Sequence, residues 1–148
     1  MSDYRRQIVV DSGFETAVSD VSRALRDEGM QVIARTDVRD HFWRHMGHDF
    51  RQYVLIEAWS PEIAFEALRN NLAIGAALPT TFAVYELADG ETAVVARDPL
   101  PPMAGDPVWH DESPALAAIV DRERKRIGRV LARVEHGRSR DARVSPAA

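Results

Sequence analysis

The period of the hydrophobic positions changes several times along the chain, and each change marks an element. Gln7 to Val10 reads as a first strand, and Ser12-Gly13-Phe14-Glu15 then has the order of a capping box. Phe14, Ala17, Val18, Val21 and Leu25 recur at helical spacing as far as Gly29, which is placed for a left-handed C-terminal cap. Met30 to Thr36 predicts a second strand, and Thr36 or Asp37 caps a short second helix that Gly47 ends. Gln52 to Trp59, rich in aromatic and branched residues, predicts a third strand. Ser60-Pro61 closes it and opens a third helix to about Asn70, with Ile63, Ala64, Ala67 and Leu68 as its apolar stripe. Phe82 to Leu87 and Thr92 to Arg97 predict an antiparallel hairpin across Asp89-Gly90. Four prolines and Gly105 make Asp98 to Glu112 a loop, after which Ser113-Pro114 starts a long last helix. Its stripe is Leu116, Ile119, Val120, Ile127, Val130, Leu131 and Val134, and Gly137 is its predicted end.

The resulting order, β-α-β-α-β-α-β-β-α, predicts an α+β fold: a largely antiparallel sheet with amphipathic helices packed on one face. A doubly wound nucleotide fold fits less well, because Asp11-Ser12-Gly13-Phe14 offers a single glycine where a phosphate loop needs several. Strand parity adds an expectation about assembly. In the third strand one side reads Tyr53, Leu55, Glu57, Trp59 and the other Val54, Ile56, Ala58, so neither is a polar outer face. Two long helices can cover one side only, which predicts a homodimer through the other, with Tyr53 and Leu55 at the interface.

Composition narrows the chemistry. At 148 residues the expected organisation is a single domain over residues 1–137 and a disordered polar tail over 138–148. The absence of cysteine excludes disulfides, thiolate metal sites and cysteine nucleophiles. No apolar run reaches the roughly 20 residues of a membrane span, and the polar start, Met1 to Arg6, is unlike a signal peptide; the expected location is the cytoplasm. Residues 122–143 carry 9 basic and 3 acidic side chains, net +6, which leaves −10 for the rest of a chain whose total is −4. An acidic body repels phosphates, so the charge pattern disfavours nucleic acid as a partner.

Candidate sites are few. His41 and His45 stand four apart on the second helix with His48-Asp49 just beyond, the best metal-like grouping in the chain. Phe42 occupies the place where a zinc-protease signature has glutamate, and the competing reading is a solvated helix face. Glu57 lies inside an apolar strand. Buried alone, it would suit a general acid or base; the alternative is a carboxylate at a wet rim, or one paired with Arg35 or Arg97. Thr80 and Thr81 at a strand entrance, Trp59 and Tyr85 complete a candidate ligand-binding set with Glu57. The basic residues from Arg122 to Arg133 interleave with the last helix's apolar stripe and read as a solvated face, with Asp121 and Glu123 pairing on its surface.

From Tyr53 to Glu86 the chain resembles the bacterial and archaeal family called domain of unknown function 302. The marks are Ser60-Pro61, Ala64-Phe65-Glu66-Ala67-Leu68, Ile74-Gly75 and Leu78-Pro79, extended by the N-terminal capped helix, Gly29 and Asp37-Val38. The resemblance covers about Ile8 to Asp98, implies a small α+β domain, and brings no activity with it. Many members have cysteine just before the Ser60-Pro61 pair and just after the Leu78-Pro79 pair; here those positions hold Trp59 and Thr80, so any thiol chemistry of the family is closed to this chain. The residues and the resemblance together lead to a homodimeric small-molecule-binding or assembly module that needs no cofactor. The alternatives are an enzyme using Glu57 as general acid or base, and a metal-binding protein using His41 and His45.

Overall fold

The structure is a computed structural model, describing residues 5–88, 90–97 and 114–141. Its elements are β1 (Arg5–Val10), α1 (Phe14–Asp27), β2 (Gln31–Asp37), α2 (Val38–Met46), β3 (Tyr53–Trp59) and α3 (Pro61–Asn70). A 3-10 helix (Leu72–Ala77), β4 (Thr80–Ala88), β5 (Glu91–Arg97) and α4 (Pro114–Asp141) follow. The strands form one sheet in the order β1-β5-β4-β3-β2, antiparallel throughout. The chain thus has the α+β architecture its sequence predicts.

Local chemistry sets most boundaries where the sequence places them. Asp37 caps α2 by accepting the Asp40 amide at 2.9 Å, and Gly47 closes that helix at φ 65°, a left-handed conformation that favours glycine. Gly29 turns the chain out of α1 in the same way, at φ 74°. Two expectations need correction. The capping box at Ser12 does not form: Gly13 is the N-cap of α1, while Ser12 is buried and its carbonyl accepts from the Thr92 hydroxyl at 2.8 Å. Ser12 serves to join the loop to β5. Gly137 does not end α4, which continues to Asp141. One glycine costs a helix about 1 kcal/mol, which the turns on either side offset. The predicted Asp89 turn position, the 98–112 loop and residues 142–148 lie outside the described residues.

The core lies between one sheet face and two helices. Val54, Ile56 and Ala58 of β3, Phe82 and Val84 of β4, and Val94 and Ala96 of β5 meet Ala17, Val18, Val21 and Leu25 of α1. The C-terminal half of α4 completes this cluster with Ile127, Val130, Leu131 and Val134. Its N-terminal half packs elsewhere: Leu116 and Ile119 join Ile63, Ala67 and Ile74 in a second cluster beneath α3. A single helix therefore ties two apolar clusters together.

Candidate functional site

Antiparallel register fixes which side chains share a sheet face, because directly opposed residues point the same way. Along β3 burial alternates strictly, with Val54, Ile56 and Ala58 buried and Tyr53, Leu55, Glu57 and Trp59 half-buried. The second set faces away from α1 and α4. Cross-strand pairs continue it as Tyr53 with Tyr85, Leu55 with Ala83 and Glu57 with Thr81, then Ala83 with Val95 and Tyr85 with Ala93. On the outer strands Val9 pairs with Ala93, Thr36 with Leu55, and Ala34 with Glu57. This open face is mainly apolar, and none of the described helices forms a core cluster on it.

Aromatic residues line one end of the face. The Tyr53 and Tyr85 rings stack 5.0 Å apart and only 8° from parallel; Phe50 lies 6.3 Å from Tyr53, and Phe42 meets Phe50 edge-on at 5.3 Å. This ladder fastens α2 to the rim of the open face. Desolvation, with the neighbouring Tyr85 second, raises the Tyr53 phenol above its ordinary pKa, so it stays a neutral donor.

Most of the candidate ligand-binding set meets here. Glu57, Trp59, Thr81 and Tyr85 all belong to the open face, as do Tyr53 and Leu55. Thr80 does not: it pairs with Ala58 and is 7% exposed on the core side. Glu57 has Thr81 on one flank and Ala34 on the other, so the register gives it no second acid and no histidine. Arg35 cannot serve as its partner across the strands, since Arg35 opposes Ile56 and so lies on the other face.

The other candidates sit apart from this face. His41 and His45 are exposed on α2 with ring centroids 4.4 Å apart. Among the described residues no group of three or more His, Asp, Glu or Cys side chains could hold a metal ion. Asp40 and Asp49 nearby are engaged by Arg44 and Arg39, at 2.8 and 3.2 Å. Between α1 and α4 an open groove of about 610 Å³ is lined by Asp20, Arg23, Asp27, Glu28, Arg129 and Arg133. Glu28 bridges the two arginines of α4, accepting from Arg129 Nε at 2.8 Å and Arg133 Nε at 2.7 Å. Burial opposes its charge, but the two guanidinium groups outweigh burial and hold its carboxyl below the ordinary range. The groove is thus a balanced ion-pair network.

One buried acid escaped the sequence reading. Glu123 is not a surface-pairing residue; it is 4% exposed, and Ser60 Oγ donates to its Oε2 at 3.2 Å. It stands four residues from both Ile119 and Ile127, at the junction of the two apolar clusters. That position inside the stripe was the available signal. Desolvation raises its pKa, with the Ser60 hydrogen bond and the Arg126 charge acting in the opposite direction. Ser60 opens α3 without capping it by a side-chain hydrogen bond, because its hydroxyl is turned to Glu123.

The geometry can be set beside known proteins. No curated protein matches the chain. Among solved structures, an uncharacterized conserved DUF302 protein from Bacillus stearothermophilus matches with a TM-score of 0.75 and 26% identity, over 90% of this chain and 100% of that one. A family model described as domain of unknown function DUF302 matches residues 6–134, from β1 into the last turns of the α4 apolar stripe. The chain belongs to the DUF302 family.

Proposed function

We propose that this protein is an assembly module that works through the open face of its sheet, closed in the functional state by a second copy of the chain. The observation that carries the reading is the alternation along β3 and β4: the residues turned away from the helices are Tyr53, Leu55, Trp59, Ala83 and Tyr85, and all are half-buried rather than solvated polar groups. A sheet with one wet side shows polar residues at those positions. Five strands about 4.8 Å apart and some 20 Å long present roughly 400 Å² in projection, so two such faces cover on the order of 800 Å², the size of a weak or transient contact. A contiguous apolar surface of this size matches the largest patch on a typical monomer, and such patches are often functional.

Small-molecule binding between the paired sheets is the second reading. Glu57 favours it, being a half-buried carboxylate beside the Thr81 hydroxyl, with the Tyr53–Tyr85 stack and the Trp59 indole on the same face. These groups could orient a small ligand with an apolar body and a polar end. A catalytic role for Glu57 has less support, since its cross-strand neighbours supply no partner for proton transfer.

The test is Leu55→Asp, which puts a carboxylate on β3, beside the central strand of the face, while leaving the core side untouched. Size-exclusion chromatography should show the variant at half the mass of the parent, with an unchanged circular dichroism spectrum. An unchanged elution position for the variant would place the contact elsewhere.

A further inference from the structure

One row of the open face holds both an arginine and a glutamate, and its order is informative. Glu57 of β3 opposes Thr81 of β4. Extending the Ala96–Phe82 register by one residue brings Arg97 of β5 beside Thr81 on its other flank. The row therefore runs Arg5, Arg97, Thr81, Glu57, Ala34, with the Arg97 and Glu57 charges about 10 Å apart across two strand spacings. No ion pair within the chain joins either charge to a partner among the described residues. The next row runs Gln7, Val95, Ala83, Leu55, Thr36, apolar over its three central strands and with the small residue on the same strand as Thr81.

Both rows are centred on β4, which is also the middle strand of the five. A two-fold axis parallel to β4, lying between two facing sheets, turns every row onto its own reverse. It sets β5 over β3 of the second copy. Arg97 then faces Glu57, Val95 faces Leu55, and Ala83 faces Ala83 across the axis. Each Arg97 meets a Glu57, the Arg5 position at the sheet edge falls over Ala34, and the smallest side chains meet where the sheets come closest. The other in-plane axis, perpendicular to the strands, sets Arg97 against the Ala93 level and Glu57 against the Tyr53 level. That arrangement covers two arginines without a carboxylate, which costs several kcal/mol per unpaired buried charge.

Building on the face-to-face assembly proposed above, we infer that two copies pair about a two-fold axis along β4, locked in register by reciprocal Arg97–Glu57 ion pairs between subunits. The pairs act mainly as a specificity device: they select this arrangement over its alternatives, while the apolar rows supply most of the affinity.

Charge reversal tests the register. Glu57→Arg alone sets arginine against arginine at both contacts, and Arg97→Glu alone sets glutamate against glutamate. Each should weaken self-association by about tenfold or more, as like charges across an interface do. Mixed in equal amounts, the two variants should form heterodimers almost exclusively, because each contact then joins an arginine to a glutamate; native mass spectrometry separates the three species by mass. The double variant, with the charges exchanged, should recover the parental affinity. An independent probe uses the absence of cysteine from the chain: Ala83→Cys should give a covalent dimer with a short bis-maleimide, and Val9→Cys, at the sheet edge, should not. A parental dimer whose two variants mix statistically, or whose double variant stays weakened, would overturn the register and leave face-to-face pairing standing. A monomeric parent would remove both.

Discussion

Replacing Glu123 with glutamine separates charge from shape at a buried acid. Glutamine keeps the volume and an acceptor for the Ser60 hydroxyl, now at 3.2 Å from Oε2, so the hydrogen bond worth about 1 kcal/mol survives. What disappears is the cost of holding a carboxylate that is only 4% exposed between two apolar clusters. Because desolvation raises the folded-state pKa despite the Ser60 and Arg126 contributions, the parent is best placed below the ordinary glutamate range. It loses stability as pH rises from there through the raised value, at about 1.4 kcal/mol for each unit of elevation. Urea unfolding at pH 4 and pH 8 should therefore show Glu123→Gln near parity with the parent in acid and more stable than it in base. Glu123→Ala should instead be less stable at both, by about 1–3 kcal/mol, since it strands the Ser60 hydroxyl and opens a cavity. A glutamine variant less stable than the parent, and more so at pH 8 than at pH 4, would refute the reasoning and make the charge itself a stabilising partner of Arg126.

Glu28 carries the opposite sign: its folded pKa is lowered, so its contribution is present above the ordinary glutamate pKa and fades as pH falls through the lowered value. With both arginines half-exposed, Glu28→Gln should cost about 1 kcal/mol at neutral pH and nothing in strong acid, read from paired thermal melts. Changing His41 and His45 together to alanine should leave the melting temperature unchanged with or without added zinc, since the pair has no third ligand group among the described residues. A zinc-dependent rise in the parent, lost in the variant, would restore the metal reading. Gly29→Ala should cost about 1–2 kcal/mol through its φ of 74° alone, because the added Cβ meets only Arg126 Nη1 at an ordinary 3.6 Å.

The fold was legible because its signals are local and agree with one another. The stripes of α1, α3 and α4, the left-handed Gly29 and Gly47, the Asp37 cap and the β4–β5 hairpin each occupy a few neighbouring residues. What stayed hidden depends on distant partners. Ser12 resembles a cap, yet Gly13 is the N-cap and Ser12 is buried where Thr92, 80 residues away, donates to its carbonyl. Glu123 reads as a surface acid until Ser60, 63 residues away, meets it. Parity in β3 told correctly that the side opposite the helices is not polar, and it grouped Tyr53, Leu55, Glu57 and Trp59 on one face. It could not place Thr80 and Thr81 on opposite faces relative to Glu57, nor bring Arg97 into the same row, because register between strands is set by pairing geometry rather than by either sequence.

The central claim, that the open sheet face is closed by a second copy, is tested most directly by native mass spectrometry of the freshly purified chain at micromolar concentration. The same spectrum reads mass and retained ligand together. The account predicts twice the chain mass for the parent and a single chain mass for Leu55→Asp. A parent that remains a single chain across the concentration range, with its melting curve unchanged in Leu55→Asp, would contradict it.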